Sequence, residues 1–367
     1  MRPEDASHMQ QVAEVTSILG GSAEMAQSGS ESSRVGPVEL GFVEPAAPER
    51  LVSSQFPSKV GGRPAWLSLL LPGPELLECG GCAQPLVFLL QVYAPREHAF
   101  HRSLLIFCCT SPDCPNRSFA TLRSQLGRIN EFYSAEPQPE VPVRPIPGLK
   151  LCRVCGASGP KTCSRCHRAR YCGKKHQVAD WKAGHRAACS QPDESDDDGV
   201  STLNILFPEF ELVMELEDSE GEELQTCGEL SATESVCTSE VTEELELELE
   251  AMAKHATKED RIFAKFKKRI AVAPDQVLRY CRGGSPLWVS GVNIPTNSDI
   301  PNCSCGARRE FEFQVMPQLL NQLKVDRLGE SMDWGTLIVY TCTQSCDPGN
   351  AYILEFIWKQ DFSIEEV

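Results

Sequence analysis

The chain lacks any run of about eighteen apolar residues, so no segment can cross a bilayer as a helix. Its start carries Glu4, Asp5, Glu14, Glu24 and Glu31 and only a short apolar run, which is not the make-up of a secretory signal. No G-x-G-x-x-G, P-loop, G-x-S-x-G or H-E-x-x-H pattern occurs, so the common nucleotide, hydrolase and metalloprotease signatures are missing. Cationic side chains are absent from residues 191–250, where 21 Asp or Glu stand with no Lys, Arg or His. The net charge of −16 is therefore uneven: this block carries −21 and the rest of the chain +5. Blocks of opposite sign suggest separate partners for separate segments.

Cysteine, by contrast, is abundant, with 18 in 367 residues, a length that allows two or three domains. Without a secretory signal the expected setting is reducing, either cytosol or nucleus. There, paired cysteines read as metal ligands before disulfides. Eight potential ligands follow in order: Cys152-x2-Cys155, Cys163-x2-Cys166, Cys172-x3-His176 and His185-x3-Cys189. Four close a tetrahedral Zn²⁺ shell, so eight imply two Zn²⁺. The stretch has too few large apolar side chains to fold by burial alone, so metal should fold it. His176 and His185 each lie four residues from a cysteine, so Cys172/His176 and His185/Cys189 can face one way from short helices. His167 is left over and reads as a surface residue.

The ligand order resembles a MYND-type zinc finger, as do Tyr171 beside Cys172 and the spacer Gln177-Val178-Ala179-Asp180-Trp181-Lys182-Ala183-Gly184-His185. His176 departs from the cysteine many members carry there. The resemblance implies an interleaved cross-brace, with Cys152, Cys155, Cys172 and His176 on one zinc and Cys163, Cys166, His185 and Cys189 on the other. The finger is also basic: nine Lys or Arg between residues 151 and 189 face Asp180 alone.

A repeat lies on either side of the finger. The first stretch runs Gly61-Gly62-Arg63-Pro64-Ala65-Trp66, Cys79-x2-Cys82, Phe88-x2-Gln91-Val92 and Pro95. It ends in Leu104-Leu105-Ile106-Phe107 and Cys109-x4-Cys114. The second runs Gly283-Gly284-Ser285-Pro286-Leu287-Trp288, Cys303-x-Cys305, Phe311-x2-Gln314-Val315 and Pro317. It ends in Leu337-Ile338-Val339-Tyr340 and Cys342-x3-Cys346. The match predicts a duplicated, small β-rich unit. Alternation over Glu310–Val315 predicts a half-exposed strand, and Thr336–Thr341 a buried one. Each copy offers four cysteines, Cys79, Cys82, Cys109, Cys114 and Cys303, Cys305, Cys342, Cys346. They are either one more zinc site per copy or buried small hydrophobes. Cys108, Cys227, Cys237 and Cys281 read as plain thiols.

The fold class expected is α+β: a duplicated β-rich cysteine-containing unit with an inserted MYND-type finger and a long acidic linker. Residues 1–35 read as a disordered extension and 36–134 as the first copy, starting near Val38–Phe42. Residues 135–150 are a Pro-rich linker. Residues 151–190 are the finger, and 191–241 the acidic, largely disordered linker. Within that linker the apolar island Leu203–Val213 could dock as a strand. Residues 242–367 form a C-terminal domain, a helix plus the second copy. Leu245, Leu249 and Met252 form one stripe of the helix, and Ile262, Phe263, Phe266 and Ile270 another. Pro274 ends it, and the stripes should be core.

These features together resemble the programmed cell death protein 2 family. The resemblance is densest at Gln55-Phe56-Pro57-Ser58-Lys59-Val60-Gly61-Gly62-Arg63-Pro64-Ala65-Trp66-Leu67 and Phe313-Gln314-Val315-Met316-Pro317-Gln318-Leu319-Leu320, and spans residues 36–367. It implies a dedicated chaperone that captures a new, strongly basic small-subunit ribosomal protein for 40S biogenesis and moves between cytoplasm and nucleus. MYND fingers in general imply binding of proline-containing peptides. The physics is compatible: a ribosomal protein off the ribosome is a polycation without its RNA, and carboxylates can screen it and speed its capture. Phe88, Val92, Phe311, Phe313 and Val315 are either client-facing or core.

Three other functions compete. An enzyme is not expected: Gly221-Glu222-Glu223-Leu224 echoes a motif of MYND methyltransferases, but its Asn-His-Ser companion is absent, and a zinc with four protein ligands leaves no site for water. Direct DNA or RNA binding is not expected either, because the ligand spacing is not that of a groove-reading finger and an acidic block follows. A corepressor adaptor acting in proliferation or apoptosis through proline-containing peptides is the alternative that stays open.

Overall fold

Antiparallel pairing carries the architecture. The computed structural model describes residues 35–135, 149–189, 203, 205–217, 258–325, 332–347 and 349–362. Ten strands in it hydrogen-bond side by side until the last meets the first, closing a barrel. They are β1 (Glu39–Glu44), β2 (Lys59–Val60), β3 (Val87–Tyr93), β4 (His101–Cys108), β5 (Phe119–Leu126), β8 (Phe210–Leu216), β9 (Leu278–Tyr280), β10 (Arg309–Val315), β11 (Thr336–Cys342) and β12 (Ile353–Gln360). β6 (Lys161–Thr162) and β7 (Arg170–Tyr171) form a separate two-stranded hairpin in the finger. The ring order is β1-β8-β2-β3-β4-β5-β12-β11-β10-β9. Closure pairs each strand of the ring on both sides over at least part of its length.

Helices are few: α1 (Lys174–Asp180) and α2 (Arg186–Ala188) in the finger, then α3 (Lys258–Ala271) and α4 (Gln318–Leu323). Among the described residues the fold is thus mostly β, with fewer helices than an α+β fold implies. Of the helix expected from residue 242, the part before Lys258, with Leu245, Leu249 and Met252, lies outside the described residues. Phe266 packs on Val289 and Met316 with Phe263 and Ile270 beside it, so that stripe is core. Among the described residues no helix is long and apolar enough to cross a membrane.

The ring order shows how the two halves interlock. In sequence β1 precedes β2 and β8 precedes β9. In space β1 pairs with β9 (Gly41 opposite Leu278) and β8 pairs with β2 (Val60 opposite Phe210). β1 and β8 also pair with each other, Phe42 opposite Val213. The leading strand of each half therefore lies against the opposite half. The end of the apolar island, Phe210–Val213, opens β8, a stave of the barrel. Gly61 makes room for its approach: φ is +64°, and a Cβ there would sit 1.9 Å from the Pro208 carbonyl oxygen.

Corresponding strands share local details. The register shifts between Phe88 and Leu90 on β3, and between Phe311 and Phe313 on β10. Gln91 accepts the Ala65 N–H (2.9 Å) and donates to the Ala65 carbonyl (3.5 Å). Gln314 does the same with Leu287, at 2.6 and 3.0 Å. Each glutamine thus clamps the residue before a tryptophan, Trp66 or Trp288.

The barrel interior is filled from all sides, with Leu104 and Ile106 of β4, Phe313 and Val315 of β10, and Leu337 and Val339 of β11 among its residues. Cys108 is fully buried there as a small hydrophobe, and burial pushes its thiol pKa up. Phe88, Val92 and Phe311 are buried as well, so all five residues left open between client and core belong to the core. The strand expected to be half-exposed is not: Glu312 and Gln314 are buried. Their alternation marks polar partners rather than water, since Glu312 takes both Arg102 Nη1 (2.6 Å) and Nη2 (2.7 Å). Burial alone would raise the Glu312 pKa, but the Arg102 charge and its hydrogen bonds hold it down at about 2.

Candidate metal centre

Four groups of ligand atoms gather in the described residues, each within 4.8 Å of one another. They are Cys152, Cys155, Cys172 and His176; Cys163, Cys166, His185 and Cys189; Cys79, Cys82, Cys109 and Cys114; and Cys303, Cys305, Cys342 and Cys346. The first two bring together the residues that the cross-brace pairs.

Distances test the fit. Tetrahedral Zn²⁺ with Zn–S near 2.3 Å sets its sulfurs about 3.8 Å apart, whereas a disulfide needs about 2.05 Å. The Sγ–Sγ separations are 3.6 Å for Cys79–Cys114, Cys82–Cys109, Cys303–Cys346 and Cys305–Cys342, and 3.9 Å for Cys155–Cys172 and Cys163–Cys189. All the described cysteines are free thiols. The donors fit a zinc ion in every group. His176 offers Nδ1, 3.1 Å from Cys172 Sγ, and His185 offers Nε2, 3.6 Å from Cys166 Sγ. Burial and the nearby Arg153 charge hold His185 below the usual imidazole range, keeping a lone pair free for metal.

Local backbone positions these groups. The β6–β7 hairpin carries Cys163 before its turn and Cys172 after it. Cys172 does not share a helix with His176, as the i,i+4 spacing had suggested. Gly173 is extended (φ −158°) and α1 begins at Lys174, so the two meet across the helix start. The turn Trp181–His185 and α2 then place His185 and Cys189 on one helical run. His167 is exposed at φ +57°. In the repeat clusters, burial opposes the thiolate of Cys79, but hydrogen bonds from Ser118 and the backbone outweigh it and bring its pKa to about 5. Backbone hydrogen bonding likewise outweighs burial at Cys303, bringing it to about 7. Their neighbours go the other way, since burial raises Cys109, Cys114, Cys342 and Cys346.

The finger is seated on the barrel. Trp66 Nε1 donates to the Gly156 carbonyl at 2.7 Å, and the Arg63 guanidinium donates to the Arg153 carbonyl. Trp66, Phe88, Leu105 and Phe107 share one apolar cluster with Cys152, Val154, Cys155 and Tyr171. Inside the finger, Asp180 accepts the Tyr171 hydroxyl (2.7 Å) and pairs with Arg153 (3.1 Å). This buried carboxylate was overlooked; its signal was being the lone acid among nine cations. A cleft of about 530 Å³ borders Trp181, Lys182, Gly184 and Arg186.

Comparison with known proteins adds to this geometry. Models of the N-terminal and C-terminal domains of programmed cell death protein 2 match residues 37–140 and 260–361, and the MYND finger model matches 152–189. Programmed cell death protein 2 of Bos taurus is 54% identical over 90% of this chain and 98% of its own length. The chain belongs to the programmed cell death protein 2 family. The family's programmed cell death protein 2-like member from Homo sapiens is 31% identical over 80% of this chain and 86% of its own. "Probable 20S rRNA accumulation protein 4" of Schizosaccharomyces pombe (strain 972) is 35% identical over 28% of this chain and 27% of its own. No solved structure matches. These family names and domains are non-enzymatic in kind. β8, which completes the barrel, falls outside all three matched segments.

Proposed function

We propose that this chain is a non-catalytic zinc-binding chaperone for a basic small-subunit ribosomal protein, serving 40S biogenesis and moving between cytoplasm and nucleus. The observation that carries this reading is the likeness to a protein named for 20S rRNA accumulation. The charge layout supports it: a polycationic client held away from RNA gains from a partner with a block of carboxylates. On this reading the barrel is a duplicated unit, as the paired glutamine clamps and register shifts suggest. The protein holds four Zn²⁺, two in the finger and one in each half, every one closed by four protein ligands with no position left for catalytic water. Neither nucleic acid nor membrane is the ligand.

Affinity capture of partners synthesised during a short labelling pulse tests the function. A basic small-subunit ribosomal protein should be recovered while translation runs and lost when it is blocked. Recovery of chromatin proteins alone would overturn the reading. That outcome would favour the second one, a corepressor adaptor for proline-containing peptides acting in proliferation or apoptosis, which the cleft beside Trp181 supports.

A further inference from the structure

The two repeat clusters are braced differently. The first is held mainly from its own half, with Lys175 of the finger also donating to the Ala83 carbonyl beside Cys82. Gly80 N–H donates to Ser118 Oγ (3.0 Å), Cys79 Sγ lies 3.9 Å from the Asn116 carbonyl, and Arg117 reaches the Ser111 and Pro112 carbonyls. The second is held from across the barrel. Arg123 of β5 donates from Nη2 to Cys346 Sγ at 3.3 Å and from Nη1 to the Cys346 carbonyl at 2.8 Å. Gln125, also on β5, donates to the Ser345 and Cys346 carbonyls at 2.9 and 3.2 Å. Arg282 donates to the Cys342 carbonyl (2.8 Å), and Arg309 to the Asn302 carbonyl beside Cys303 (2.9 Å).

Charge makes this more than scaffolding. Arg123 is wholly buried and shares one carboxylate, Glu355, with Arg309, each at 2.7 Å. Next to them Arg102 and Arg282 meet Glu312 and Glu310. Guanidiniums thus outnumber carboxylates in this group, in which Arg102, Arg123, Glu312 and Glu355 are buried and Arg282, Arg309 and Glu310 are half-buried at its edge. Unpaired buried charge is costly. Four neutral thiols would leave the excess standing, whereas Zn²⁺ held by four thiolates is a dianion and offsets it. The seam beside the cluster is also short. β5 and β12 pair only at Arg123/Ile353, Leu122/Leu354 and Thr121/Glu355, and Glu355 Oε1 in turn accepts the Cys342 N–H at 3.4 Å.

We propose that the second-half cluster is a zinc site whose counter-charge comes from the opposite half through Arg123, so that zinc binding there and closure of the β5–β12 seam are coupled. The idea rests on the four-zinc reading above. Arg123 is a positioning residue: it fixes a ligand sulfur and its loop without binding the metal, and loss of such outer partners costs about 10–100-fold in metal affinity.

Native mass spectrometry of the full chain should count four zincs, and a chromogenic chelator should then resolve their release. Arg123→Gln should speed release of one zinc about tenfold or more and leave the other three unchanged. Arg123→Lys, which keeps the charge but loses the fork, should fall between. A wild-type count of two overturns the four-zinc reading and this proposal with it. A count of four with wild-type release from Arg123→Gln overturns the coupling alone. Should Arg123→Gln fail to fold, Cys305→Ser, at the exposed ligand, replaces it. Hydrogen exchange in residues 119–126 and 353–360 should quicken about tenfold in Cys305→Ser and stay unchanged in Cys82→Ser. Equal exchange in the two variants overturns the proposal.

Discussion

The two halves of the barrel follow the same strand plan but cover its outer face differently. In the first half the finger seals that face: Trp66 is 1% exposed, stacks edge-on against Tyr352 (5.1 Å) and hydrogen-bonds the finger backbone. In the second half Trp288, at the matching place, is half-buried among Ile300, Phe356 and Trp358. Buried positions diverge too. His101 and Trp334 each stand three residues before the matched apolar runs that begin at Leu104 and Leu337, yet one can titrate and the other cannot. A ladder of backbone hydrogen bonds tolerates such divergence because it does not depend on which side chains cover its faces.

The sharpest way to break the comparison is to truncate the two tryptophans. Trp66→Ala should cost about 3–5 kcal/mol, because it opens a cavity under the finger. Trp288→Ala should cost no more than about 2 kcal/mol, since the side chain is already partly wet. Urea unfolding of both variants measures the difference; equal losses would mean that the finger adds nothing to the first half.

Acid should separate the halves next. His101 is buried against Phe56 (ring centroids 4.0 Å) and shares a hydrogen bond between Nδ1 and the Tyr93 hydroxyl (3.0 Å), while its Nε2 has no partner. Burial lowers its pKa to about 4. The unfolded ring takes a proton near pH 6.5, so the unfolded state binds more protons between pH 6.5 and 4. Stability then falls by up to about 1.4 kcal/mol per pH unit over that window. His101→Phe should remove that slope in thermal melts recorded against pH. A variant as acid-sensitive as the wild type would rule out His101 as the source.

The smallest effect tests what the halves share. Gln91→Leu and Gln314→Leu each strand a buried backbone N–H and carbonyl and should each cost about 1–3 kcal/mol. Denaturant midpoints should shift alike; a cost confined to one variant would show that the clamps are not equivalent.

Much of the metal chemistry was legible before any coordinates. Ligand spacing picked out the pairs, the family resemblance implied how the finger's pairs interleave, and the internal match set four cysteines in each flanking stretch; the structure brings together those same sixteen residues. The aligned Gly-Gly, Phe and Gln positions of the two stretches fall at corresponding turns and strands. The burial of Glu312 was not legible, because alternation records side-chain polarity and a buried partner such as Arg102 produces the same pattern as water. Nor was the support of Cys346 by Arg123, 223 residues away in sequence. The segment Leu203–Val213 showed that a strand was possible but not that it would complete a barrel.

Sequence by itself determined which atoms can bind metal and where a few of the strands lie, since both depend on residue type and on spacings of a few positions. Tertiary structure alone decided that β1 and β8 cross to opposite halves, that the finger is seated against Trp66 of the first half, and that a guanidinium from β5 reaches Cys346 after β11. Those outcomes depend on contacts between distant residues, where local spacing carries no information and burial and charge balance choose the partner.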